Sequence, residues 1–277
     1  MGAVEVLTEE TWRAREAAHE ARVDALVAEH LGRRRDGVKH PVHDFLFTYY
    51  SYRPAQLRRW HPGWGVECSG GRSHHGADHS TLEKKLPVVR QVHALLVATA
   101  GRAPSFGCFG LHEWAMVHGT NETRHPWPLR LGRVGTDEVV ESHRLACSHF
   151  DAFRFFTPSA RPLNTLQPGR DDRAAFEQPG CLHGNMDLYK HAFRLAPLVP
   201  AELVVDCFEL ARDIRVLDMR AAPYDLADLG FSPVRIETAE GKQEYAAAQR
   251  AFAERAAPLR AELIEWCERL MSATPVR

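Results

Sequence analysis

Of the 16 histidines in this chain, 14 fall between His40 and His191, and none occurs in the last 86 residues. Histidine exchanges protons near neutrality and ligates metals, so the stretch from about 40 to 225 is where a site is expected. Four segments in or near it carry acids beside imidazoles. Around His43, a helical reading puts Val42, Phe45, Leu46 and Tyr49 on a core face. His43, Phe47 and Tyr50 then share the adjacent face. An ordinary alternative leaves His43 half exposed, with Asp44 complementing the helix N-terminus.

The second segment is Leu111-His-Glu-Trp-Ala-Met116. His112 and Glu113 are adjacent and project about 100° apart on a helix. Met116 stands where an HExxH zinc motif needs its second histidine. Glu113 paired with an arginine, and Trp114 simply packed, are the plain readings. In the third, Asp187 and His191 are four apart on one helix face, able to orient an imidazole or supply two metal ligands. Asp187 as a first-turn carboxylate beside an Asn185 cap is the alternative.

The fourth segment continues an apolar stripe, Val204, Cys207, Ala211 and Ile214, onto Asp218. A carboxylate on a buried face is costly unless it is paired or its altered proton affinity is used. Arg215 and Arg220 are the expected partners. The loop with Cys68, His74, His75, Asp78 and His79 has metal-ligand residue types, but its glycines and single cysteine do not form a closed zinc module. Neither a GxSxG elbow nor a phosphate-cradling GxxxxGK[ST] loop occurs.

The elements that must position these residues read as mainly helical with a small β element, one compact domain over 1–277. Thr8 caps a helix to about Leu31, with Glu9 and Glu10 in its first turn. Pro41 opens a helix through Tyr52 and Pro54 a short turn. Thr81 caps a helix to about Ala100; Leu111 to His118 is a short one. Leu129–Gly132 and Val139–Cys147 read as a hairpin around Gly135-Thr-Asp137. Helices follow from Asn185 to Leu195 and from Ala201 to Leu217, with a strand at Val234–Thr238. A helical segment over about 240–272 is kinked or split at Pro258.

An apolar fraction of 44% and a charged fraction of 26% indicate a globular chain rather than a disordered one. No apolar run reaches the ~20 residues that span a bilayer, and the acidic first ten residues form no signal peptide, so a cytoplasmic protein without membrane partners is expected. Six scattered cysteines are expected to be reduced. The net charge of −1 lacks the basic balance typical of nucleic-acid binders, although Arg33-Arg34-Arg35 and Arg58-Arg59 form local basic clusters.

Five segments together resemble a known family: His40-Pro-Val-His-Asp-Phe-Leu-Phe-Thr-Tyr-Tyr50, Leu57-Arg-Arg-Trp-His-Pro-Gly63, Ser148-His-Phe-Asp-Ala-Phe-Arg-Phe-Phe-Thr-Pro158, His183-Gly-Asn-Met-Asp-Leu-Tyr-Lys190 and Arg215-Val-Leu-Asp-Met-Arg220. The chain is similar, over most of its length, to a mainly actinobacterial family labelled 3-methyladenine DNA glycosylase. The resemblance implies hydrolysis of the N-glycosidic bond of an alkylated purine in DNA, without a cofactor. Asp218, Asp187 and Glu113 are then candidates for the catalytic carboxylate. Tyr49, Tyr50, Trp60 and Trp114 would recognise a cationic base, and Arg53, Arg58 and Arg59 would meet phosphates.

A rival reading is a metal-dependent enzyme acting on a small molecule, with iron or zinc held by imidazoles and carboxylates from several helices. Its ligand pool is His43, His112, His183, Asp187 and His191.

Overall fold

The computed structural model describes residues 5–70 and 77–273. Two short strands, β1 (Glu5–Leu7) and β2 (Val66–Cys68), pair in parallel with Leu7 opposite Cys68. The helices in chain order are α1 (Glu9–Arg35), α2 (Phe45–Thr48), α3 (Pro54–Leu57), α4 (His79–Ala100), α5 (Leu111–Ala115) and α6 (Gly132–Ser142). They continue with α7 (Phe150–Phe153), α8 (Arg173–Phe176), α9 (Leu182–Leu195), α10 (Ala201–Arg220) and α11 (Ala239–Ser272). The fold is mainly helical with a small two-stranded sheet. Among the described residues, no helix is long and apolar enough to cross a membrane.

The chain divides into two compact units. The first comprises the described parts of 1–97, 186–212 and 258–277; the second comprises 98–185 and 213–257. In the first, Thr8 caps α1 by accepting the Thr11 N–H on its hydroxyl. Leu7, Trp12, Trp60 and Ala201 form a buried cluster, with Val66 and Cys68 against it. The first half of α10 carries Glu202, Asp206 and Glu209 on one face. Glu202 accepts from Arg15 and from the Trp60 indole, while Asp206 and Glu209 both take Arg22. These bonds tie α1 to α10.

In the second unit the expected hairpin is absent, and its second half is α6. The β-branched pair Val139-Val140 imitates a strand, yet Thr136, Val139 and Val140 are the residues buried. That is helical spacing, and packing of one face decides against local β propensity. Two isolated bridges, Leu129 with Tyr224 and Leu145 with Asn164, are the β pairing found there. The expected strand at 234–238 is also absent: the backbone turns, with the Ile236 and Thr238 N–H groups bonding Val234 and Arg235 within the segment.

Several helix limits differ from expectation for traceable reasons. The helix expected from Pro41 shrinks to α2, because the His40 imidazole accepts the Val42 and His43 N–H groups and Asp44 accepts that of His40. Side chains that satisfy a turn compete with the helix. Asp78, not Thr81, accepts the orphan N–H at the start of α4. At α9, Cys181 Sγ accepts the Gly184 N–H at 3.5 Å, so the helix begins before Asn185. Helix α1 runs on through Gly32 to Arg35, and α11 passes through Pro258 as one helix.

Pro258 lacks a backbone N–H at an exposed position inside α11. Pro258→Ala is expected to raise stability by about 1–2 kcal/mol, the helix-propensity gain less the freedom restored to the unfolded chain. A melting temperature that fell instead would mean that the proline has a packing role.

Candidate functional site

The site is built from the ends of elements in the second unit. Phe109 (φ 48°) and Gly110 (φ 72°) turn the chain into α5 through left-handed conformations. At Gly110 a Cβ would come within 3.3 Å of the Ala221 Cβ and of the Tyr245 ring, so glycine serves both the φ and the close approach. This turn presents His112 and Glu113 on adjacent faces of α5. The last turns of α10 supply Arg215 and Asp218, three residues apart on one face. The first turn of α9 supplies His183.

Arg215 Nη1 donates to Asp218 Oδ2 at 2.6 Å and to Glu113 Oε1 at 3.1 Å. His112 Nε2 meets Asp218 Oδ1 at 2.9 Å, and His183 Nε2 lies 3.9 Å from Asp218 Oδ2. The two imidazole rings sit edge to face with centroids 4.4 Å apart. One ligand atom each from His112, His183 and Asp218 lies within 4.8 Å of the others. On its other side His112 Nδ1 faces the Cys108 thiol at 3.8 Å. Asp218 is completely buried, and Arg215, His112 and Glu113 nearly so.

Charge sets the protonation here. Burial alone would raise the Asp218 carboxyl, but the His112 and His183 imidazoles, the hydrogen bond from His112 and the Arg215 guanidinium together hold it well below the usual carboxylate range. Burial by itself would lower His112; the Asp218 carboxylate outweighs that and carries the imidazole well above its ordinary value. Burial, reinforced by the neighbouring His112 charge, pushes His183 down to about 4. Near neutrality the group therefore holds an anionic Asp218, a cationic His112 and a neutral His183.

His112 and His183 open onto a cavity of about 310 Å³ that belongs wholly to the second unit. Arg102, Cys108, Arg144, Cys181 and Tyr245 also line it, and no carboxylate does. Burial pushes the Cys181 thiol up to about 12, and the Tyr245 phenol rises for the same reason.

The sequence candidates therefore separate. The structure gathers Asp218, Glu113, His112 and His183 in the second unit. Asp187, His43 and His191 belong to the first. There Asp187 accepts from the Tyr50 hydroxyl at 2.8 Å and pairs with Lys190, and His43 stacks on His40. His191 is buried on α9. The expected partnership of Asp218 with Arg220 is replaced by Arg220–Glu244. Among the aromatic candidates, Tyr49 stacks on Phe45, Trp60 donates to Glu202 and Trp114 donates to the Ala221 carbonyl. None of these, nor Tyr50, lines the cavity. Arg58 pairs with Glu20 and Asp24, and the Arg53 N–H is bonded by Gln56 beside α3. In the cysteine–histidine loop, Cys68 packs in β2, Asp78 starts α4 and His79 meets the Trp64 ring. His74 and His75 lie outside the described residues.

Sequence reasoning missed Cys108, Cys181, Arg102, Arg144 and Tyr245. All six cysteines are free, as expected. The unread signal was spacing: Cys108 precedes His112 by four residues and Cys181 precedes His183 by two. Compared with protein-family models, with curated proteins and with solved structures, the chain finds no match.

Removing Arg215 leaves two carboxylates buried without their cation. Arg215→Ala is expected to cost about 3–5 kcal/mol in urea unfolding at neutral pH; a loss under 1 kcal/mol would mean the pair is not closed in solution. His183 also makes stability depend on pH. With a folded value of about 4 against 6.5 unfolded, the unfolded chain binds the extra proton between those limits. Its contribution is complete above pH 6.5 and is lost as pH falls towards 4, and His183→Gln should flatten the urea-midpoint profile across that window.

Proposed function

We propose that the second unit carries the active site of a metal-dependent enzyme acting on a small molecule, with His112, His183 and Asp218 as ligands of one divalent ion, iron or zinc. The observation that carries this reading is the convergence of two imidazoles and one carboxylate, each from a different helix, with both imidazoles at the wall of a cavity and the carboxylate buried against them. Two nitrogens and one oxygen suit both metals, and three protein ligands leave positions open for water or substrate. Arg215 on Oδ2 of Asp218 and Cys108 at Nδ1 of His112 would orient those ligands.

Charge bears on what such a site would take. Asp218 and Glu113 bring two negative charges to Arg215, and the proton on His112 brings the group to zero. A divalent cation in place of that proton would leave the group at +1. The alkylated-purine reading rests on the sequence resemblance. A methylated purine is cationic, and in this cavity it would meet Arg102, Arg144 and His112 without a carboxylate. A neutral or anionic substrate suits the lining better.

One observation favours a second reading. Cys108, His112 and Asp218 form a chain of contacts in which the imidazole lies between thiol and carboxylate, the arrangement of a cysteine nucleophile with its base. Elemental analysis of the purified chain separates the readings. Stoichiometric iron or zinc is expected, and His112→Ala, His183→Ala and Asp218→Asn should each abolish it. A metal-free chain that releases methyladenine from alkylated DNA would establish the glycosylase instead. A metal-free chain in which iodoacetamide labels Cys108, and labels it more slowly after His112→Gln, would favour the thiol.

A further inference from the structure

A second cavity, of about 490 Å³, belongs wholly to the first unit and plays no part in the reading above. Tyr52, Gln56, Arg59, His61, Lys85 and Phe193 are among its lining residues, and no carboxylate is. Three arginines of this unit are taken up by acids, Arg15 and Arg22 by those of α10 and Arg58 by Glu20 and Asp24. Arg59 and Lys85 instead line this cavity together. Neither forms an ion pair among the described residues, and the Lys85 ammonium, half-buried, donates to the Arg194 carbonyl at 2.7 Å. Two positive charges thus face one concave space, and among the described residues no carboxylate lines it. Burial, with the Arg194 charge next, lowers the Lys85 pKa, as it does for an ammonium lacking a counter-ion.

The rest of the lining is also arranged for an anion with a ring attached. Gln56 uses its carbonyl oxygen to accept the Arg53 N–H at 3.0 Å, which leaves its amide nitrogen as the donor end. An imidazole, His61, adds a further polar group. On the apolar side the Tyr52 and Phe193 rings stack 4.6 Å apart at 12°, offering a flat edge. A guanidinium fork, an ammonium and an amide together provide more donors than a two-oxygen carboxylate can absorb. They match the three terminal oxygens of a phosphate monoester. The volume falls in the range of small-ligand sites.

We propose that this cavity is a binding site for a small phosphate monoester, its phosphate held between Arg59 and Lys85 and its organic part against Tyr52 and Phe193. The test is titration calorimetry on the full chain with phenyl phosphate, inorganic phosphate and a single-stranded oligonucleotide. Phenyl phosphate is expected to bind saturably and more tightly than inorganic phosphate. Arg59→Gln and Lys85→Gln should each weaken it by at least about tenfold, the effect of one charge-assisted hydrogen bond, while Lys85→Arg retains most of the affinity. Circular dichroism identical to that of the unaltered chain shows that the variants fold, and their metal content should not change. Inorganic phosphate binding as tightly as the ester would overturn the part assigned to the rings. Failure of the unaltered chain to bind either probe, or affinities indifferent to Arg59 and Lys85, would overturn the site. Arg59-dependent binding of the oligonucleotide alone would overturn it in favour of nucleic-acid phosphates.

Discussion

The guanidinium of Arg215 is shared between two buried carboxylates, Asp218 at 2.6 Å and Glu113 at 3.1 Å, and the site is arranged around that sharing. Burying two carboxylates this close together is costly unless a cation is in contact with them. Since Glu113 is on α5 and Arg215 and Asp218 are on α10, the ion triad also joins the two helices. The Trp114 indole, donating to the Ala221 carbonyl just past the end of α10, ties the same elements a second time. With α5 so placed, His112 reaches Asp218. His183, brought in by α9, meets both.

From this one constraint the electrostatics of the cavity follow. The Asp218 carboxylate, in contact with His112, outweighs the cost of burying a charged imidazole and keeps a proton there, and that charge in turn depresses the proton affinity of Asp218. The charged groups that face the cavity are cations, His112 with Arg102 and Arg144, and no carboxylate faces it. In the first unit the acids of α10 are taken up by arginines of α1, and it is cations, Arg59 and Lys85, that face open space.

How much of this was legible in the sequence depended on how local the signal was. Helices α10 and α11 follow from apolar periodicity over many turns, whereas α1 and α4 were read from capping residues, Thr8 with its acidic first turn and Thr81. The stripe running from Val204 to Ile214 pointed to Asp218 as a buried acid, and Asp218 is fully buried. Short elements were not legible in the same way. In α6, the residues Val139 and Val140 have strand propensity, and only the burial of Thr136 with them reveals a helical face. At α9 a cysteine sulfur took the capping role that residue type alone assigns to Asn185.

The site was legible residue by residue, through chemistry, but not as an assembly. His112, Glu113, His183 and Asp218 each stood out by type and setting, yet nothing local distinguished them from Asp187, His43 or His191. His112 and Asp218 are 106 residues apart, and Arg215 and Glu113 are 102 apart. Alone, the sequence determined a mainly helical chain, one acid, Asp218, that must be buried, and a pool of imidazoles. Which of them meet was decided by tertiary structure, because a buried charge is tolerated only where packing delivers a partner from a distant element, and periodicity within a helix carries no record of that partner.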